Sequence, residues 1–294
     1  MYYRRIIILA ILDSFNGELD RLKLQALLFL FVQQSKEKIY SFVPSESGCH
    51  SFHAEADLST MQKYKQVKAE KDIIKKTDKV NYPDEIDKTD KEIISGLAKK
   101  YKKASYEKPT REIFLGEPYY AINCNFAGKI LEEDELLKVS QAKPVSVENA
   151  LFTIGYEGLS PEEYLNRLIR NDIKVLCDVR RNPLSMKYGF SKKQLAGFCE
   201  ALNIKYIHFP KLGVESSKRK ELKSQKDYDE VFAEYRQSTL KENISDQQKI
   251  IGLIKNELRV AITCFEADVN HCHRNHLASS LEKFNEWKYR IIHI

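Results

Sequence analysis

Closely spaced cysteine pairs are missing from this sequence, which contains no CxxC motif. Its six cysteines are Cys49, Cys124, Cys177, Cys199, Cys264 and Cys272. Scattered cysteines in a chain of 294 residues indicate a reducing compartment rather than a disulfide framework. Cys177 lies inside an apolar run, where a buried free thiol is the default interpretation.

Long apolar runs are also missing. No stretch of about 18 uncharged apolar residues occurs, so we expect no membrane span. The apolar run from Ile6 to Leu12 is short, is followed at once by Asp13 and has no small-residue cleavage site, so it is not typical of a signal peptide. We therefore expect a cytoplasmic protein.

The composition is that of a globular chain, with 43% hydrophobic and 31% charged residues. Its length is sufficient for two domains. The formal net charge is +6 and the pI about 8.8. This mild excess of positive charge indicates nucleic-acid binding only if the basic residues are clustered. Otherwise it indicates a solvated basic surface.

The N-terminal half is predicted to be mainly helical. Apolar residues between Ile6 and Ile11 lie on one helical face, and a broad apolar stripe from Asp20 to Gln34 predicts a helix buried on most of its circumference. Residues 40–54 are typical of a hairpin or an extended chain that leads into a helix from Asp57. Helices followed by a short β excursion and another helix give the outline of a winged helix.

Several short motifs resemble the winged-helix-like domains of SocA-type antitoxins and related defence proteins. They are Lys23-Leu-Gln-Ala-Leu-Leu-Phe-Leu30, Phe42-Val-Pro44, Gly48, Ser51-Phe52 and Ala56-Asp-Leu58. The resemblance covers roughly residues 5–120. It implies a module that recognises a protein or a nucleic acid and does not catalyse a reaction.

Lysines are concentrated between Met61 and Pro109, where fourteen Lys stand against nine acidic residues, with no Arg. Four tyrosines, Tyr64, Tyr82, Tyr101 and Tyr106, are interleaved among them. One interpretation is a surface that tracks phosphates and stacks on bases. The other is a solvated helical face whose lysines pair with acidic residues at i,i+4.

The pattern changes after a short acidic helix and a linker that ends in Ser140-Gln-Ala-Lys-Pro144. We predict a helical, winged-helix-like domain at 1–145 and an α/β domain at 146–294. Predicted strands in the second domain lie at 151–154, 174–179, 205–209, 258–265 and 289–294. Because helical segments separate them, we expect a parallel sheet with flanking helices and right-handed crossovers.

Ligands of an open parallel sheet bind outside the carboxyl ends of its strands. Polar segments follow the predicted strands at these ends. They are Gly155-Tyr-Glu-Gly158, Asp178-Val-Arg-Arg-Asn-Pro183, Pro210-Lys-Leu-Gly213 and Cys264-Phe-Glu-Ala-Asp268, the last leading to His271-Cys-His-Arg274. The sequence therefore predicts a polar site at this edge of the sheet.

The same residues resemble the family described as domain of unknown function 488. The motifs are Phe152-Thr-Ile-Gly-Tyr156, Asp178-Val-Arg180 with Pro183 and Ser185, Phe190, Leu212-Gly213, Cys264-Phe-Glu266 and Cys272-His-Arg274. The resemblance implies a Rossmann-like α/β fold and a nucleic acid or nucleotide as substrate, and some members lie near defence genes. The chain departs from the pattern in a long insertion at 213–226.

Two arginines are the first candidates for binding an anion. Arg180 and Arg274 carry forked donors suited to phosphate, and Arg274 lies in the first turn of a predicted helix. The alternative is that they form ion pairs with Asp178 or Glu266. Arg181 and Ser185 are further substrate-binding candidates, and Ser185 is expected to cap a turn or contact phosphate, since no GxSxG elbow surrounds it.

Asp178 and Glu266 are the candidates for acid–base catalysis or for holding a divalent metal ion, and otherwise bridge loops as structural carboxylates. Tyr156 either stacks on a base or donates a hydrogen bond, or is a core tyrosine with a satisfied hydroxyl. The cofactor is left open between none and a divalent metal ion.

A zinc site drawn from Cys264, His271, Cys272, His273 and His276 is disfavoured by spacing, since three of these residues are contiguous. We therefore assign no metal ligands. We count His273 among the catalytic candidates and Cys264 among the substrate contacts. A nucleophilic pair of Cys264 or Cys272 with His273 depends on spatial proximity that a sequence does not reveal.

These features lead to a predicted enzyme that hydrolyses a phosphodiester or glycosidic bond in a nucleic acid or nucleotide, in the context of phage defence. The alternative is a non-catalytic sensor or transcriptional regulator. A third interpretation, a rhodanese-like or redox thiol protein, lacks the anion-cradling loop that should follow its cysteine. The expected partners are DNA, RNA or a nucleotide and no membrane, with a homodimer left open.

Overall fold

The computed structural model describes residues 1–215 and 225–294, which form two compact units, Met1–Lys143 and Pro144–Ile294. Most of the predicted insertion at 213–226 therefore lies outside the described residues. None of the helices in the described ranges is long and apolar enough to cross a membrane.

The N-terminal unit is mainly helical, as predicted. Its helices are α1 (Tyr3–Ser14), α2 (Arg21–Gln34), α3 (Phe52–Lys63), α4 (Lys88–Tyr101), α5 (Glu107–Gly116), α6 (Ala127–Ile130) and α7 (Glu133–Ala142). Its strands are β1 (Glu18–Asp20), β2 (Val43–Ser45), β3 (Gly48–His50), β4 (Val67–Glu70) and β5 (Ile73–Lys76). The β4–β5 hairpin pairs with β1 in an antiparallel sheet ordered β1-β5-β4, and β2 pairs with β3. These elements follow one another along the chain in the order α1-β1-α2-β2-β3-α3-β4-β5.

Local capping sets two helix starts in this unit. The Asp20 side chain accepts a hydrogen bond from the Lys23 amide at 3.1 Å and begins α2, whose residues are then almost all buried from Lys23 to Val32. The Ser51 side chain accepts from the Ala54 amide at 3.2 Å. Because of this cap, α3 begins at Phe52 rather than at the predicted Asp57.

The C-terminal unit is an α/β fold, again as predicted. Its strands are β6 (Ala150–Gly155), β7 (Val175–Asp178), β8 (Lys205–His208), β9 (Arg259–Cys264) and β10 (Arg290–His293). Its helices are α8 (Pro161–Arg170), α9 (Lys192–Glu200), α10 (Gln225–Gln237), α11 (Thr239–Glu242), α12 (Ile244–Glu257) and α13 (His273–Leu281). The strands form one parallel sheet ordered β10-β6-β9-β7-β8.

The strand order determines which polar segments meet. Strand β9 lies between β6 and β7, with Cys264 opposite Gly155 and Thr263 opposite Asp178. The carboxyl ends of all three strands therefore lie side by side at one edge. A capping box begins α8, with Ser160 and Glu163 exchanging hydrogen bonds.

Candidate functional site

The loop after β9 is fixed against the end of β6. A Cβ atom on Gly155 would lie 1.8 Å from the carbonyl oxygen of Glu266, so only glycine permits this approach. The amide groups of Tyr156 and Glu157 both donate to the carbonyl oxygen of Phe265, at 3.1 and 2.9 Å. The motif Gly155-Tyr-Glu thus serves to position the segment that carries Glu266.

Arg274 holds the same loop from the other side. Its Nη1 donates to the carbonyl oxygen of Glu266 at 2.5 Å and its Nη2 to that of Ala267 at 3.0 Å, and the residue is only 2% exposed. Its Nε is buried without a hydrogen-bond partner among residues 1–215 and 225–294. The guanidinium predicted to bind phosphate is therefore directed at backbone carbonyls, and Arg274 positions the Glu266 loop.

Four side chains that can bind a metal or transfer a proton meet at this loop. Cys264 ends β9, Glu266 follows two residues later, and Cys272 and His273 begin α13. The Sγ atom of Cys264 lies 3.1 Å from Oε2 of Glu266 and 3.5 Å from Nδ1 of His273. One such atom from each of the four residues lies within 4.8 Å of the others. We call this group the cysteine–histidine cluster.

Burial separates the members of this cluster. Cys264 and His273 are 0% exposed and Cys272 is 1% exposed, whereas Glu266 is only partly buried. Burial, followed by the hydrogen bond and the charge of Cys264, raises the pKa of the Cys272 thiol well above its usual value. Glu266 is therefore the member of the cluster that is most accessible to a substrate.

The tautomer of His273 follows from its neighbours. Its Nε2 lies 3.0 Å from the carbonyl oxygen of Val179, which can only accept a hydrogen bond, so Nε2 carries the proton. Its Nδ1 then presents a lone pair towards Cys264. The Tyr235 ring packs edge-on against the imidazole, with 5.5 Å between ring centroids, and this contact helps to fix the ring.

The helix start explains how two adjacent residues enter one cluster. Cys272 is the N-cap of α13, with extended φ −130° and ψ 134°, and His273 is the first helical residue. The change of backbone direction at this point brings both side chains towards Cys264. The contiguity of these residues in the sequence had predicted that they point in different directions. His271 and His276 lie elsewhere, with His271 3.1 Å from the Asp268 carboxylate and His276 3.1 Å from Nη1 of Arg236.

Asp178 and Arg180 form a closed, buried ion pair. Asp178 is 0% and Arg180 5% exposed, with Nε–Oδ1 at 2.8 Å and Nη2–Oδ2 at 2.5 Å. Tyr206 also donates to Oδ2 of Asp178, at 2.6 Å. Burial lowers the pKa of Arg180, but the hydrogen bonds and charge of Asp178 outweigh burial and raise it above its ordinary value. Asp178, a predicted catalytic base, and Arg180, a predicted phosphate ligand, therefore bind each other. This ion pair is the alternative that the sequence left open.

Tyr156 belongs to the same buried network. Its ring stacks on Phe190 with centroids 4.3 Å apart and planes 8° from parallel, and its hydroxyl accepts from Nη1 of Arg180 at 2.9 Å. The residue is 3% exposed. Tyr156 is thus a core tyrosine with a satisfied hydroxyl rather than a platform for a base.

Arg181 and Ser185 lie at the surface of the same edge. A Cβ atom on Gly213 would lie 2.0 Å from the Arg181 amide nitrogen, so Gly213 permits the two backbones to touch. The Arg181 side chain is 45% exposed, with Nη2 3.8 Å from Glu215. Ser185 accepts from the Lys187 amide at 3.2 Å and caps a turn, one of the two roles predicted for it.

A polar cavity of about 130 Å³ adjoins Arg181 and is lined also by Lys211, Tyr235 and Ser238. The Tyr235 hydroxyl donates to the carbonyl oxygen of Leu212 at 2.7 Å, and its ring contacts His273. Tyr235 therefore lines this cavity and also contacts the cysteine–histidine cluster. Sequence reasoning missed Tyr235 and Tyr206, because nothing in the local pattern of a helix or strand tyrosine indicates which neighbour its hydroxyl reaches.

Comparison with protein families agrees with the sequence motifs. Residues 160–281 match the family model described as Domain of unknown function DUF488. The matched segment runs from the cap of α8 to the end of α13 and contains all four members of the cysteine–histidine cluster, so the resemblance predicted for the C-terminal half is confirmed. No curated protein and no solved structure matches the chain.

Proposed function

We propose that the C-terminal unit is a hydrolase that cleaves a phosphodiester or glycosidic bond in a nucleotide or nucleic acid. Its reaction centre is the cysteine–histidine cluster. The observation that carries this proposal is the convergence of two thiols, an imidazole and a carboxylate within 4.8 Å, at the edge of a parallel sheet where ligands bind.

Glu266 is the general base of this reaction. It is the partly exposed member of the cluster, and its carboxylate accepts a hydrogen bond from the buried Cys264 thiol. A carboxylate in this position can take a proton from an attacking water molecule. The two cysteines are buried too deeply to serve as nucleophiles, because buried thiols are inert. Hydrolysis by water is therefore favoured over a covalent thiol mechanism.

The surroundings of the cluster favour an anionic, aromatic substrate. Arg181 and Lys211 line the neighbouring cavity, and both are suited to phosphate. Phe265 directly precedes Glu266 and is 41% exposed, so its ring is accessible for stacking on a base. Phe265 thereby takes the role that the sequence had suggested for Tyr156.

The N-terminal unit supports a nucleic-acid substrate in particular. Three lysines of the β4–β5 hairpin form ion pairs with acidic residues, but Tyr64 before this hairpin is 72% exposed and stands between the exposed Lys63 and Lys65. Lysines interleaved with an exposed aromatic ring are the elements of a surface that binds a strand through its phosphates and bases. We assign to this unit the recognition of DNA or RNA.

The test is a substrate panel of single- and double-stranded DNA, RNA and nucleotides, incubated with the full chain, with and without added divalent ions. We compare wild type with Glu266→Gln and with a control, Glu200→Gln, at the exposed end of α9. Product should form with wild type and Glu200→Gln and fall by about 100-fold or more in Glu266→Gln.

Two outcomes would contradict the proposal. Unchanged turnover in Glu266→Gln would remove the cluster from the reaction. Salt-sensitive binding without any product would replace the hydrolase by the non-catalytic sensor.

A further inference from the structure

We propose that the cysteine–histidine cluster binds a zinc ion through Cys264, Cys272 and His273, with Glu266 beside the fourth position. This inference builds on the proposed function, because it identifies what activates the attacking water. The site is defined by side chains whose spacing in the sequence gives no zinc-binding pattern.

The donor atoms select the metal. Two thiolate sulfurs and an imidazole nitrogen suit zinc and other late transition metals, whereas magnesium and calcium take oxygen ligands. The set also matches a known chemical use, because zinc held by one histidine and two cysteines, beside a glutamate that is not a ligand, activates water for attack on nucleobases.

The separation of two of the three donors is already close to that of a tetrahedral site. With zinc–sulfur at about 2.3 Å and zinc–nitrogen at about 2.05 Å, a tetrahedral angle separates the two donors by about 3.6 Å. The observed separation between Sγ of Cys264 and Nδ1 of His273 is 3.5 Å. The Cys272 donor lies within 4.8 Å of both atoms, against about 3.8 Å between two sulfurs on a tetrahedral zinc, so shifts of about 1 Å or less would complete the coordination.

The outer contacts of the cluster are those of a metal ligand. A histidine bound to zinc donates its second ring proton to a carbonyl or carboxylate, and Nε2 of His273 donates to the Val179 carbonyl. Nδ1 then has the lone pair needed for coordination. The loop that carries Glu266 is fixed by Arg274 through two backbone carbonyls.

The charges of the occupied site balance. Two thiolates offset the two positive charges of zinc, so the ion and its three ligands together bury no net charge. Without a cation, two thiolates would be buried here with no compensating charge.

Glu266 differs from the other three members in its exposure, which makes it a base beside the metal rather than a fourth ligand that closes the site. Catalytic zinc sites keep one position open for water. In the step that follows, the water gives its proton to Glu266 and its oxygen bonds to the phosphorus or carbon of the substrate. The leaving group departs with the bonding electron pair and receives the proton back from Glu266.

The experiment measures metal content and thiolate coordination on the full chain. Protein purified without chelating resin is dialysed, and zinc is determined by elemental analysis before and after incubation with zinc or magnesium. Wild type and Cys199→Ser, whose cysteine is equally buried but lies on α9, should hold about one zinc per chain. Cys272→Ser should lose it, while Glu266→Gln should keep zinc and lose turnover.

If Cys272→Ser fails to fold, wild-type protein loaded with cobalt in place of zinc gives a second measurement. Cobalt bound by the cysteines should produce thiolate-to-cobalt charge-transfer absorption. Absence of both zinc binding and this absorption, full zinc content in folded Cys272→Ser, or a Cys264–Cys272 disulfide in place of metal would overturn the site. Zinc bound without any product would uphold the site and remove the hydrolase. Undiminished product from metal-free protein would uphold the hydrolase and contradict the activation of its water by zinc.

Discussion

His273 donates its Nε2 proton to the carbonyl oxygen of Val179, 3.0 Å away, and so faces Cys264 with an unprotonated Nδ1. This single hydrogen bond joins the end of β7 to the start of α13. It selects the tautomer on which the cysteine–histidine cluster depends. Because Val179 and His273 are separated by 94 positions, this constraint on the ring exists only in the folded chain.

The first prediction concerns this tautomer. In long-range ¹H–¹⁵N spectra at neutral pH, His273 should show a protonated Nε2 and a bare Nδ1, since the Val179 carbonyl can only accept. A proton found on Nδ1 of His273 at neutral pH would be incompatible with the assigned hydrogen bond.

The second prediction concerns the buried ion pair. Asp178→Asn should lower the free energy of unfolding by about 3 kcal/mol or more, because it leaves the Arg180 guanidinium buried beside a neutral group. Asp268→Asn, at an exposed position on the β9–α13 loop, is the control and should change little. Urea unfolding measures both variants, and wild-type stability in Asp178→Asn would show that the carboxylate is not structural.

The third prediction concerns the contact between Gly155 and Glu266. Gly155→Ala places a Cβ atom 1.8 Å from the Glu266 carbonyl oxygen, so the Glu266 loop must move and turnover should fall by at least about 10-fold. In Gly252→Ala, on α12, the new Cβ meets no heavy atom within 4 Å. That control should keep full activity and gain up to about 1 kcal/mol of stability from helix propensity. Equal activity in the two variants would argue against a fixed loop.

The fourth prediction concerns Asp57 in the N-terminal unit. This carboxylate is 2% exposed and accepts hydrogen bonds from Arg4, Arg5 and Tyr40. Burial raises its pKa, but these three donors outweigh burial and leave it below the usual value. The carboxylate therefore stabilises the fold above about pH 4, and this contribution is lost as the pH falls further.

Asp57→Asn should accordingly cost about 3 kcal/mol at pH 7, and the difference from wild type should shrink below about pH 4. Chemical unfolding at several pH values measures this difference. A gap that stays constant, or one that widens in acid, would contradict the sign of the shift.

The sequence predicted the parts of this account that depend on local pattern. Alternating strands and helices predicted the parallel sheet, and the strand-end rule located the polar edge to which Cys264 and Glu266 belong. The β4–β5 hairpin was missed, because lysines are disfavoured in strands and the sequence Lys71-Asp72 has no glycine to mark its turn, although Lys71 adopts a positive φ of 53°.

The roles of the site residues depended on burial, which the sequence does not contain. Asp178 and Arg180 are two residues apart, so both an open catalytic pair and a closed ion pair were compatible with the pattern. Only the packing of Tyr156, Phe190 and Tyr206 around them decides between the two. Likewise, Cys272 and His273 both face Cys264 because the backbone changes direction at the start of α13, and the sequence does not reveal that change.

The most direct test of the account is turnover by Cys272→Ser beside Cys199→Ser, measured on the substrate that the panel identifies, with circular dichroism confirming that both variants are folded. Both substitutions replace a buried sulfur, but only Cys272 belongs to the cysteine–histidine cluster. We predict that Cys199→Ser retains wild-type turnover and that Cys272→Ser loses it by about 100-fold or more. Equal turnover in the two folded variants would contradict the assignment of this cluster as the reaction centre.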